Sequence, residues 1–81
     1  MLLEMIGFDQ HHQLEVQWVE LQTKVGNLIV QPEHAPMILE LQTNSQIRYC
    51  LDSSKQNTML LSGGIVHITR TSVTILIDAK L

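Results

Sequence analysis

The sequence is poor in the residues on which several kinds of protein chemistry depend. Its 81 residues include one cysteine, two prolines and three aromatic side chains. A single thiol, Cys50, cannot form an internal disulfide, which argues against a disulfide-stapled secreted domain. We interpret Cys50 as a buried structural thiol rather than a reactive one, because Tyr49 and Leu51 flank it in a strand-like stretch.

Positive charge is also scarce. The five Lys and Arg residues are scattered singly, and the formal net charge is −3. Nucleic-acid binding needs a concentrated positive surface that displaces counterions, so we expect no nucleic-acid partner. The charge is uneven, because residues 1–23 contain four acidic residues and no Lys or Arg. The first quarter of the chain is therefore acidic.

No apolar run approaches the roughly 20 residues that cross a bilayer. The start of the chain, Met1–Met5, has neither the basic segment nor the long apolar segment of a secretory signal. These two absences predict a cytoplasmic protein.

Patterns for catalysis and for metal binding are missing as well. His11 and His12 are adjacent, so in a strand they point to opposite faces, and His34 and His67 lie in separate segments without Cys-x-x-Cys or His-Glu-x-x-His spacing. The Ser-Gly-Gly at 62–64 lacks the rest of a nucleophile elbow or a phosphate-binding loop. We predict no enzyme activity, no cofactor, no metal and no small-molecule substrate. A metal or catalytic site that uses the four histidines is the alternative.

What the chain does contain is enough apolar residues for a single folded domain, residues 1–81. Hydrophobic residues make up 44% of the sequence and charged residues only 16%, while glutamine alone supplies eight side chains. The low charge predicts that the surface is polar but uncharged, or that a partner covers part of it.

Short apolar or alternating segments, separated by turn residues, predict an all-β fold. The apolar phase slips by one residue near Trp18 and Val19, which is typical of a β-bulge. About eight strands in so short a chain imply a sandwich or barrel, and we expect at least two of the three aromatics in its core. The predicted strands are residues 2–8, 14–23, 28–30, 37–41, 47–51, 58–61, 65–69 and 73–78. The main predicted connections are residues 9–13, 31–36, 42–46, 52–57 and 70–72.

Three segments together resemble one known family. They are the stretch Gly26–Pro36 with its Pro-Glu-His-Ala-Pro end, the Leu-Ser-Gly-Gly-Ile-Val element at 61–66, and the strand Val73–Asp78. In this order and at this spacing they resemble the N-terminal β-sandwich domain of the epsilon subunit of the F-type ATP synthase, which is called delta in mitochondria. The resemblance extends over essentially the whole chain.

The resemblance implies a small flattened β-sandwich of about eight to ten short, mostly antiparallel strands. It also implies a non-catalytic rotor subunit of a proton-translocating ATP synthase, which links the gamma subunit to the membrane c-ring. Such a subunit lies peripherally at the cytoplasmic face of the bacterial inner membrane, touches the membrane only through the c-ring, and is soluble when isolated. The family's C-terminal helical hairpin, which carries its ATP-binding motif, has no counterpart in this sequence, so we expect no measurable ATP binding.

The resemblance also implies a set of interface residues. The region from Asn27 to His34 matches the part of the family that faces the c-ring, and the Ser-Gly-Gly element is expected near the other rotor subunits. The predicted interface residues are Asn27, Gln31, Pro32, Glu33, His34, Ala35, Pro36, Ser62, Gly63 and Gly64.

Several positions depart from the family pattern. Asn27 replaces the usual Glu, and Glu33 is a candidate replacement for that charge. Ile29 and Glu33 stand where the family has glycine, and the connection at 70–72 lacks the expected Asn or Gly. These departures leave open an alternative, a diverged stand-alone β-sandwich interaction module outside the synthase.

Overall fold

A computed structural model describes residues 1–51 and 55–77 of the chain, and these residues form eight strands. The strands are β1 (Leu2–Ile6), β2 (His11–Thr23), β3 (Gly26–Val30), β4 (Met37–Glu40), β5 (Ser45–Leu51), β6 (Gln56–Leu61), β7 (Gly64–Ile68) and β8 (Ser72–Ile77). Within the described ranges, no helix is both long and apolar enough to cross a membrane. The predicted turn residues 52–54 and the predicted last strand residue, Asp78, lie outside these ranges.

The strands form two sheets that share the long strand β2. Sheet A has the order β4-β7-β8-β1-β2, in which only the β1–β8 pair is parallel. Sheet B has the order β3-β2-β5-β6 and is antiparallel throughout. The β2–β5 register shifts between Val16 and Trp18, which confirms the bulge that the phase slip predicted. The bulge lies where β2 passes from one sheet to the other.

The core is formed by the inward-facing side chains of both sheets. Five of the fully buried side chains are, in sheet A, Leu3, Val66, Val73 and Ile75, and, in sheet B, Ile47. Alternate residues of β8 are buried, as the Val-x-Ile-x-Ile pattern predicted. The all-β sandwich prediction is confirmed.

Two predicted boundaries at the first connection are wrong. β1 ends at Ile6 rather than Phe8, and β2 begins at His11 rather than Leu14. The polar residues of this segment extend β2, because Ile6 pairs with His11 in the antiparallel ladder. A tight turn, in which the amide of Gly7 donates to the carbonyl of Gln10 at 2.8 Å, closes the hairpin.

Other connections are also shorter than predicted. Gly26 and Asn27 already belong to β3, so the β2–β3 turn is Lys24–Val25. Ser45 and Asn57, which we assigned to connections, begin or extend β5 and β6. In each case the ladder hydrogen bonds continue through polar residues that have low strand propensity in isolation.

The β7–β8 turn forms without the expected Asn or Gly. The Oγ1 of Thr69 accepts hydrogen bonds from the amides of Thr71 and Ser72, at 3.3 and 3.1 Å. These bonds stabilise a turn that needs no positive φ, since the described residues with positive φ do not include residues 69–72.

The expectation that two of the three aromatics pack in the core was wrong. Tyr49 is 7% exposed and lies in the core. Trp18 is half-buried, because the bulge turns it to the outer face of sheet B, where the guanidinium of Arg48 lies 5.9 Å from the ring centroid. Phe8 lies in the first turn and is 87% exposed.

Candidate functional site

The predicted interface residues lie mainly at two opposite ends of the sandwich. The loop end consists of residues 31–36, between β3 and β4, together with the β7–β8 turn at 69–71. The corner end consists of residues 62–64 and 41–44, together with the β2–β3 turn. They are opposite ends because β7 begins at Gly64, in the corner, and finishes at Ile68, which pairs with the first residue after the loop, Met37.

Backbone hydrogen bonds hold the loop end in one conformation. The amide of Glu33 donates to the carbonyl of Arg70 at 2.8 Å, and the amide of His34 donates to the carbonyl of Gln31 at 3.1 Å. Glu33 has a φ of 70°, in the left-handed region that favours glycine. The family pattern has glycine at this position, so the backbone conformation fits that pattern although the side chain does not.

His34 is half-buried within the loop, and one of its ring nitrogens is engaged. Nδ1 lies 2.8 Å from the carbonyl oxygen of Ala35. Because a carbonyl can only accept, Nδ1 carries the proton and donates. In the neutral ring, Nε2 is then left as an acceptor. Gln31, Pro32, Glu33, Ala35 and Pro36 are all exposed around it.

The corner end is built by contacts between two connections. The amide of Leu41 donates to the carbonyl of Gly64 at 2.9 Å, and the amide of Asn44 donates to the carbonyl of Ser62 at 3.0 Å. A Cβ on Gly64 would lie 2.5 Å from the carbonyl oxygen of Leu76, so a side chain cannot fit there. Within the part of the chain that the structure describes, the buried hydroxyls of Ser45 and Ser62 have no hydrogen-bond partner.

Asn27 does not lie with the loop residues. It pairs with Gln22 near the β2–β3 turn, at the corner end of β3, whereas Gln31 follows the other end of that strand. At about 3.3 Å per residue, roughly 13 Å of strand separates Asn27 from Gln31. Glu33 is therefore not a replacement for the charge missing at Asn27, because it is bonded to the turn at the opposite end.

The outer face of sheet B, which we call the amide face, is largely polar, although Ile29 and Leu60 are exposed on its two edge strands. Gln22 uses its side-chain oxygen to accept a hydrogen bond from the amide of Gln46 at 2.8 Å. Beside this pair, Arg48 forms a salt bridge with Glu20, in which its Nε donates over 2.9 Å. Much of the predicted uncharged polar surface is found here. The shallow depressions on this face are lined by Trp18, Glu20, Gln22, Ile29, Gln31, Gln46, Arg48, Gln56 and Thr58.

The outer face of sheet A combines an ion pair with exposed apolar side chains. Glu4 accepts hydrogen bonds from Nε2 of His11 at 2.5 Å and from the side-chain amide of Gln13 at 3.1 Å. The His11 hydrogen bond, followed by that of Gln13, lowers the pKa of Glu4 below its ordinary value of 4.5, so this carboxylate stays charged.

Sequence reasoning missed the exposed apolar side chains beside this ion pair. Ile38 is 71% exposed, and Ile65 and Leu76 are each 50% exposed. A signal was present, because β7 and β8 carry apolar residues on both alternating faces, as Ile65–Val66 and Ile75–Leu76 illustrate. A strand that faces water on one side normally has polar residues in that phase.

Titratable groups do not gather into a catalytic or metal centre in the described part of the chain. No group of three or more His, Cys, Asp and Glu side chains comes close enough to hold an ion there. The Cys50 side chain is buried, as predicted, and its thiol lies 3.3 Å from the carbonyl oxygen of Leu51. The arrangement is suited to contacts with other proteins through the two ends and the two outer faces.

Comparison with known proteins identifies a family and two solved structures to which this chain is similar. The family model described as "ATP synthase, Delta/Epsilon chain, beta-sandwich domain" matches residues 9–80. No curated protein matches the chain. A chain in the cryo-EM structure of the Euglena gracilis mitochondrial ATP synthase, OSCP/F1/c-ring, superposes with a TM-score of 0.85 at 20% identity, over 93% of this chain and 48% of that one.

A second solved structure is similar. A chain in the cryo-EM structure of the Tetrahymena thermophila mitochondrial ATP synthase, central stalk and c-ring, gives a TM-score of 0.78 at 14% identity. The match covers 95% of this chain and 62% of that one. This chain therefore spans about half of the first neighbour and less than two thirds of the second.

Proposed function

The chain belongs to the family of ATP synthase delta/epsilon chain β-sandwich domains, and from this premise we propose that it is a rotor subunit of an F-type ATP synthase. In this role it is a non-catalytic part of the central stalk that links the gamma subunit to the c-ring. The observation that carries the proposal is the family match over residues 9–80, on a chain whose fold matches chains from two ATP synthase assemblies.

The shape of the domain suits a part that joins two others. Its extents are 31 × 24 × 17 Å. Strands β7 and β8 run between the loop end and the corner end. A sandwich of paired strands resists shear between its ends, because sliding one strand past another would break ladder hydrogen bonds and expose the core. Torque applied at one end is therefore carried to the other.

We assign the loop end to the c-ring. Its residues present an exposed carboxylate, an exposed amide and a half-buried imidazole on a backbone that is fixed by two prolines and by the hydrogen bonds to Gln31 and Arg70. A fixed polar loop loses little conformational entropy on binding and can match the polar loops of a membrane ring. The assigned residues are Gln31, Pro32, Glu33, His34, Ala35 and Pro36.

We assign the corner end to the gamma subunit. Gly63 is buried, but Gly64 is half-buried and has no side chain to hold a partner away from the backbone, and the exposed polar residues 42–44 lie beside it. Asn27 lies at this end of β3 and adds an exposed amide. An interface of this kind relies on close backbone approach and neutral hydrogen bonds.

The proposed location follows from the proposed assembly. A subunit held between gamma and a c-ring is peripheral to the membrane that carries the ring, and it reaches that membrane only through the ring. For a proton-translocating bacterial enzyme, this position is the cytoplasmic face of the inner membrane. The subunit itself needs no cofactor, metal or small-molecule substrate, because its work is mechanical.

Co-purification from the native membrane tests the proposal. Tagged chain, extracted in mild detergent, is expected to bring down the gamma and c subunits together, in a ratio to each other that stays the same in repeated purifications. A tagged chain that recovers neither subunit would contradict the rotor proposal and would favour the stand-alone interaction module.

His34 provides a variant of the same experiment. Replacing His34 by Ala removes a hydrogen bond to the adjacent residue, so the melting temperature is expected to fall by no more than a few degrees. Recovery of the c subunit should fall at least several-fold, while recovery of gamma is retained. If His34→Ala lowers the melting temperature strongly but the folded variant still recovers the c subunit like the wild type, His34 is a structural residue of its loop.

A further inference from the structure

We draw no further inference here: the strongest candidate, the surface patch of exposed apolar side chains that Ile38, Ile65 and Leu76 form on the outer face of sheet A, carries none because nothing in the structure of residues 1–51 and 55–77 shows what covers it.

Discussion

At the scale of single residues, Glu33 is the clearest conflict between a side chain and its backbone. Its φ of 70° is held by the amide hydrogen bond to the carbonyl of Arg70, and its side chain is exposed. A non-glycine residue in this region costs about 1–2 kcal/mol, whereas glycine there costs only its larger entropy loss, about 0.5–1 kcal/mol. The loop conformation therefore persists at the expense of stability.

Glu33→Gly is expected to stabilise the domain. The free energy of unfolding should rise by about 0.5–1 kcal/mol, which is a rise of roughly 2–8 °C in melting temperature for a domain of this size. Asn44→Gly is the control, because Asn44 also has a positive φ, of 53°, but asparagine tolerates it. Urea unfolding of both variants measures the difference. A loss of stability in Glu33→Gly, larger than in Glu33→Gln, would show that the Glu33 side chain itself holds the loop.

Glu4 gives the domain a predictable response to acid. Its pKa is lowered, first by the hydrogen bond from His11 and then by that from Gln13, so the charged form is favoured in the folded state. The stabilisation is therefore fully present above pH 4.5, the ordinary value, and is lost as pH falls through the lowered pKa of the folded state.

Glu4→Gln removes this contribution. The melting temperature of the wild type should exceed that of the variant near neutral pH, and the two should converge as pH falls well below 4.5. Asp9→Asn, in the exposed first turn, controls for the loss of one negative charge. Calorimetry measures the melting temperatures of the wild type and both variants across this pH range. A gap between Glu4→Gln and the wild type that stays constant with pH would contradict the account.

At the scale of elements, the corner between β6 and β7 depends on a glycine that must pass close to the neighbouring strand. Gly64 needs glycine for space, since a Cβ would approach the carbonyl oxygen of Leu76 to 2.5 Å and the α-carbon of Ile77 to 3.3 Å. These atoms belong to the backbone of a paired strand, so they cannot move without breaking the ladder. Both Gly64 and Gly26 have a positive φ, of 157° and 126°, but an added Cβ at Gly26 would meet nothing within 4 Å.

This contrast predicts unequal costs for the same substitution. Gly64→Ala should lower the free energy of unfolding by more than about 2 kcal/mol, because it adds an overpacking clash to the strain of the backbone. Gly26→Ala should lower it by about 1–2 kcal/mol, from backbone strain alone. Chemical denaturation of the two variants makes the comparison. Equal losses would mean that the corner can open to accept a side chain.

The elements also show which features could be predicted from sequence. Alternation of apolar residues gave the buried phase of β8 correctly, and two prolines marked residues 31–36 as a loop. The ends of strands were missed where polar residues such as His11 and Ser45 continue a ladder. Strand propensity cannot show this, because the pairing partner that extends the strand is distant in sequence.

At the scale of the whole molecule, short motifs predicted the family but not the arrangement of the candidate site. The family match over residues 9–80 confirms the resemblance that the loop, the Ser-Gly-Gly element and the last strand carried. The motif order placed Asn27 and His34 in one region, whereas the fold separates them along β3. The line of apolar side chains that Ile65, Leu76 and Ile6 form on the outer face of sheet A could not be predicted, because it combines three strands from distant parts of the chain.

In the proposed role the domain is a rigid connector whose opposite ends contact different partners. The loop end, around His34, is assigned to the c-ring, and the corner end, around Asn27, is assigned to gamma. Both positions can carry a probe, since His34 is half-buried at the loop and Asn27 is exposed at the corner. The two assignments can be tested in one assembly.

Site-specific photo-crosslinking in native membranes is the most direct measurement. A photoreactive residue is placed at position 34 in one strain and at position 27 in another, and the crosslinked subunit is identified by mass spectrometry. We predict that position 34 crosslinks to the c subunit and position 27 to the gamma subunit. Crosslinking of both positions to one subunit, or of neither position to any ATP synthase subunit, would contradict this prediction.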